Sequence, residues 1–149
     1  MSLLKNLDEK IKDSIKSKES LRLEALRAIK SEVLLFKTSS NSKNNLTLED
    51  EIKILQRLVK QRKESANIFS EQNRQDLVKP EEEQAKVIQE FLPEQLSEKE
   101  IEKIIIEIIE LSKAQGLKDM GKVMGIASKK LLGKAEGKLI STIVKNKLQ

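Results

Sequence analysis

SEKEIEKIIIEIIELSKAQG, residues 97–116, contains six isoleucines, and its reading decides whether the protein has a sheet. β-Branched residues favour strands, so the run could be taken for a buried one. Its spacing says otherwise. Ile101, Ile104, Ile105, Ile108 and Leu111 recur every three or four residues, and Ile106 and Ile109 widen the same stripe. That is the period of an amphipathic helix. Ser97 and Glu100 stand at capping-box spacing, with Leu96 and Ile101 placed as the hydrophobic staple. Gly116 reads as the stop. A helix here, in a chain dominated by Glu, Lys, Leu and Ile, makes the fold class all-α.

Upstream, Pro93 cannot continue a helix and biases Leu92 away from helical angles. A boundary falls there, giving an N-terminal long-helix bundle over residues 1–93 and a small C-terminal three-helix subdomain over 94–149. In the first part, Leu3, Leu4, Leu7, Ile11 and Ile15 mark one helix, and Leu23, Leu26, Ile29, Val33 and Phe36 a second. Residues 38–45, TSSNSKNN, have no apolar side chain and read as a surface loop. Thr47 caps a long third helix with Glu49 and Asp50 in its first turn, and Ile52, Leu55, Val59, Ala66 and Phe69 on its apolar face. Near Asn73 it breaks. Asp76 to Leu92 reads as a further helical piece interrupted by Pro80, and Pro80 followed by Glu81, Glu82 and Glu83 reads as a helix start, with the carboxylates at the positive end of its dipole rather than as a metal site. Val87, Ile88, Phe91 and Leu92 are its apolar side.

Downstream, Asp119 stands where it can cap a helix whose stripe is Met120, Val123, Met124, Ala127 and Leu131, with Gly133 as its end. A last helix begins near Gly137, with Leu139, Ile140, Ile143, Val144 and Leu148 apolar and Lys138, Ser141, Thr142 and Lys145 polar.

Composition excludes much chemistry. The 149 residues include no Cys and no His, which removes thiolate nucleophiles, imidazole bases, disulfides and the usual zinc sites. No Walker A or GxGxxG spacing occurs. No catalytic residue, metal or cofactor is expected. No apolar run reaches the roughly 20 residues that span a bilayer, and MSLLKNLDEK lacks a signal-peptide pattern. The expected setting is cytoplasmic, with no membrane partner.

Charge is uneven. Residues 94–110 carry two basic and six acidic side chains, whereas residues 111–149 carry nine and two. A tail this basic suits a polyanion. Its centre is LKDMGKVMGIASKKLLGKAEGK, residues 117–138. Glycine inside a helix costs about 1 kcal/mol relative to alanine, and this segment accepts that at Gly121 and Gly125. On a helix these two and Ser128 share a strip, with Lys118, Lys122 and Lys129 beside it. Gly133 and Lys134 follow in the next turn, and Lys138 opens the last helix. Bare backbone bordered by ammonium groups admits a phosphate chain closely. With Tyr and Trp absent, stacking of single-stranded bases is disfavoured and structured RNA fits better. The residues leave a second reading open, in which the glycines permit close helix packing and the lysines are merely solvated. A smaller row, Lys53, Arg57 and Lys60, reads as a solvated face leading to Glu64.

FLPEQLSEKE (91–100), KDMGKVMG (118–125) and GKAEGKLI (133–140), with VKQRKES (59–65) upstream, resemble the GatB/YqeY family, specifically its free-standing YqeY-like members. The resemblance covers the whole chain. Through Gly125, Lys129, Gly133, Lys134, Ala135 and Lys138, the C-terminal part also resembles the tail domain of the B subunit of glutamine-dependent aspartyl/glutamyl-tRNA amidotransferase, a tail that contacts tRNA. The resemblance implies a two-part all-α fold, a link to tRNA-dependent amidation and carbon–nitrogen ligase activity with glutamine as amido donor. It also implies that catalysis in that enzyme belongs to a cradle domain with no counterpart here. In one departure, Glu136 stands where relatives usually carry Asp or Asn as the last helix cap, and it is a poorer one. The expectation is a non-catalytic helical protein that binds tRNA or another structured RNA through Lys118, Gly121, Lys122, Gly125, Lys129, Gly133, Lys134 and Lys138. An amidotransferase or an aminoacyl-tRNA synthetase is the further expected partner. The alternatives are a protein–protein interaction module and an amidotransferase component with chemistry of its own.

Overall fold

The computed structural model describes residues 2–39 and 46–149. Among them every regular element is helical, so the protein is all-α. The chain divides into two compact units, Met1–Leu92 and Pro93–Gln149, each with its own aliphatic core.

The first unit contains α1 (Leu7–Ser17), α2 (Ser20–Thr38), α3 (Leu48–Glu71) and α4 (Gln75–Gln89). Its core includes Leu26, Ile29, Ile54, Leu55, Leu58 and Ile88, together with Leu7 and Phe91. The Lys10 ammonium lies 4.5 Å from the centroid of the Phe91 ring, a cation–π contact between α1 and the chain leaving α4. Arg62 donates to Gln84, which donates to Glu24, joining α3, α4 and α2 by a polar chain. The loop expected over residues 38–45 lies outside the described residues except for Thr38, which ends α2, and Ser39.

Four local expectations are corrected. Ile15 is 51% exposed, and Ser14 takes the inward position instead. After Leu7 and Ile11 both spacings fit a helix, and the smaller side chain faces the neighbour. Pro80 does not start a helix but lies within α4. It removes one hydrogen bond to the carbonyl of Asp76. Burial of Val78 on the preceding turn, and the Arg74 guanidinium gripping Asp76 through both carboxylate oxygens, hold the extra turn in place. Glu81–Glu83 therefore lie past the first turn and do not cap it. The start of α1 falls at Leu7, because Leu3 and Leu4 enter through a turn.

That turn is pinned by a residue with no obvious sequence signal of polarity inside. Glu51 is 2% exposed. Its carboxylate accepts from the Ser2 hydroxyl at 2.8 Å and from the Leu3 N–H at 3.1 Å.

α3 begins at a complete capping box. Thr47 Oγ1 accepts from the Asp50 N–H at 3.1 Å, and Asp50 accepts from the Thr47 N–H at 3.1 Å. Thr47→Ala is expected to destabilise this unit by about 1 kcal/mol in denaturant unfolding; no change would mean the cap frays. Hydrogen bonding from Thr47 lowers the Asp50 pKa below its ordinary 3.8. A hydrogen bond from Lys30 does the same for Asp8, and one from Arg74 for Asp76. Carboxyls held low in the folded state stabilise it above their ordinary value and stop doing so as pH falls through the lowered one. Stability should therefore be flat near neutrality, where no histidine titrates, and fall below about pH 4. An unfolding midpoint that shifted between about pH 6 and 7.5 would contradict this.

Candidate nucleic-acid interface

The second unit contains α5 (Glu98–Ser112), a 3-10 turn (Leu117–Asp119), α6 (Met120–Lys130) and α7 (Gly137–Leu148). α5 is a helix, as its spacing requires. Ile101, Ile105 and Ile108 are buried against Val123, Ala127 and Leu131 of the α6 segment and Ile140, Ile143 and Val144 of α7. The Ser97 hydroxyl accepts from the Glu100 N–H at 3.2 Å and caps α5.

The end of α5 is not where Gly116 put it. The helix stops at Ser112, and Lys113 adopts the left-handed conformation at φ 56°. Its N–H bonds the Glu110 carbonyl and the Ala114 N–H bonds that of Ile109, the paired closure of a Schellman turn. Lys18 and Asn73 close α1 and α3 in the same left-handed way. Gly116, at φ 122°, serves the 3-10 turn instead. Asp119 does not cap α6 through its side chain. Its carboxylate accepts from the Gln115 N–H at 2.8 Å and ties down that connection.

α6 presents two faces. Val123, Ala127 and, just beyond its end, Leu131 are buried. Gly121, Gly125, Ser128, Lys122 and Lys129 are exposed on the other side. A Cβ built at Gly121 or at Gly125 finds no heavy atom within 4 Å. Neither glycine is there to let another helix of this unit approach. Replacing each by alanine is expected to stabilise the unit by about 0.5–1 kcal/mol in denaturant unfolding. A loss of stability would show that the fold itself needs the bare backbone.

The remaining candidates fall around this face unequally. Lys118 lies in the 3-10 turn before α6, Lys134 in the turn after it and Lys138 in the first turn of α7, all exposed. Lys122 is engaged locally, its ammonium 3.2 Å from the Ser112 carbonyl at the end of α5. Gly133 does not share the bare strip. It is buried, its φ of 77° accounts for the glycine, and its carbonyl accepts from the Gln95 amide at 2.7 Å. α6 stops at Lys130, short of it. Sequence reasoning misses Gln95, because an exposed-type residue in a loop gives no signal. With the Leu96 N–H bonding the Lys134 carbonyl at 2.9 Å, it fastens the chain ahead of α5 onto the turn that carries Lys134. Glu136 makes no side-chain bond to the first turn of α7, in keeping with its poor capping chemistry.

The smaller basic row on α3 is neutralised in part. Arg57 pairs with Glu32 at 2.6 Å and Lys53 with Glu49 at 3.6 Å. Among the described residues no cluster of acidic side chains is arranged to hold a metal ion, and no helix is long and apolar enough to cross a membrane.

Fold and surface thus define an all-α chain of two helical units, the second bearing a basic face with bare glycines. The chain belongs to the YqeY-like family, whose description, "Yqey-like protein", matches residues 4–148. It is also 34% identical over 148 residues to the E subunit of glutamyl-tRNA(Gln) amidotransferase from Thermococcus gammatolerans, covering 95% of this chain and 22% of that protein. To the corresponding protein of Thermococcus sibiricus it is 35% identical over 134 residues, covering 87% and 20%. The chain spans about a fifth of the length of these curated relatives.

Proposed function

We propose that the second unit docks on tRNA or another structured RNA and that the chain acts as a non-catalytic accessory of tRNA-dependent amidation. The observation that carries this is the exposure of Gly121 and Gly125, whose helical cost no contact among the described residues of the second unit explains. A phosphate chain lying along them meets Lys129 directly, with Lys118 and Lys134 at either end of α6 and Lys138 on the next helix. Shape and phosphate contacts are how proteins hold double-helical RNA. The two amidotransferase relatives support this direction, and support an amidotransferase as the protein the chain works beside.

A salt titration of tRNA affinity by fluorescence anisotropy tests the proposal. Four lysine–phosphate contacts give log K falling against log salt with a slope of about −4. Absence of binding at low salt, or a slope near zero, would overturn it.

A further inference from the structure

A second feature of the same unit shares only Lys122 with the basic face. A groove of about 400 Å³ runs between α5 and α6, lined by Ile108, Leu111 and Ser112 on one side and Lys122, Ile126 and Lys130 on the other. Leu111 is 82% exposed and Ile126 40%. Both charged residues in the lining are lysines. The opposite charge stands on the neighbouring rim. Glu107 precedes Leu111 by one helical turn and Glu110 adjoins it; both are exposed, and among the described residues neither is ion-paired.

One helix pair therefore carries both halves of a complementary surface: an apolar ridge with carboxylates on α5, and an apolar trough with ammonium groups along α6. A surface that complements itself is what a two-fold contact requires, since each residue pair then occurs twice. We propose that a second copy of this chain occupies the groove. Leu111 of each copy enters the trough of the other, and Glu107 and Glu110 face Lys122 and Lys130 across the axis. Removing Leu111 and Ile126 from water drives the association, and the charges set its register. The patch is small, so the dimer is a transient one.

Sedimentation equilibrium of the full chain, from micromolar to submillimolar concentration, tests this. The wild type is expected to self-associate, and Leu111→Glu to weaken the dimer at least about tenfold. The side chain is almost wholly in solvent, so circular dichroism should show an intact fold. Lys130→Glu alone and Glu107→Lys with Glu110→Lys alone should each weaken self-association, and mixing the two variants should restore a dimer. A chain monomeric at every concentration, or a dimer indifferent to Leu111→Glu, would overturn the proposal. In the first case the groove is left for a foreign acidic segment. Leu111 lies outside the RNA face, so tRNA affinity of Leu111→Glu at concentrations where the chain is monomeric should match wild type. The two proposals can thus fail separately.

Discussion

Reversing the charge of Lys129 and Lys134 together is expected to lower tRNA affinity at least about tenfold at moderate salt and to flatten the salt dependence from a slope of about −4 to about −2. Both side chains are exposed, and among the described residues neither ammonium is in an ion pair or a side-chain hydrogen bond. The double substitution should therefore leave unfolding stability within about 0.5 kcal/mol of wild type. That separation is what makes these two positions better probes than Lys122. Reversal at Lys122 would also remove a donor from the Ser112 carbonyl and loosen the end of α5. Anisotropy titrations at several salt concentrations, beside a denaturant curve for the same variant, read both quantities. Unchanged affinity with unchanged stability would mean that these lysines are solvent-facing and nothing more.

The second large effect is on folding. Ile105→Ala is expected to destabilise the Pro93–Gln149 unit by about 2–5 kcal/mol. Ile105 is 0% exposed, in a core of eleven buried aliphatic residues and no aromatic ring. So small a core has little redundancy: a domain is held by only about 5–15 kcal/mol in total, and no neighbouring ring is available to collapse into the space. The comparison variant is Ile106→Ala, on the same helix but 41% exposed, which should cost about 0.5–1 kcal/mol. Equal effects at the two positions in denaturant unfolding would contradict the assignment of faces. RNA binding should fall with Ile105→Ala only where the unit is partly unfolded, since Ile105 is buried in the core and not part of the exposed basic face.

The buried faces are legible because they follow from period alone. Ile101, Ile105 and Ile108, Val123 and Ala127, and Ile140, Ile143 and Val144 all point inward as their spacing requires. The errors arise where a local signal competes with packing. Gly116 and Gly133 look like helix ends because glycine favours left-handed angles. Lys113 and Leu131 end the helices instead, and both glycines keep unusual angles in the connections that follow. Pro80 looks like a beginning, yet one missing hydrogen bond near the start of α4 is outweighed by Val78. Lys18, Asn73 and Lys113 adopt left-handed angles with no glycine to announce them.

At the candidate site, helical arithmetic gathers Gly121, Gly125, Lys122 and Lys129 onto one face. Whether another helix covers that face depends on tertiary packing and cannot be read from the residues. The local tie of Lys122 and the burial of Gly133 are invisible for the same reason. The groove between α5 and α6 is hidden too, because Leu111 fits the period of the buried stripe.

The most direct measurement is the tRNA affinity of a Gly121→Leu, Gly125→Leu double variant at one fixed salt concentration. The substitutions leave charge untouched, and open space surrounds both positions. If RNA lies against bare helix backbone, affinity should fall at least about tenfold while helix content and stability hold or rise. Affinity equal to wild type would contradict the claim that these glycines are kept for a polyanion.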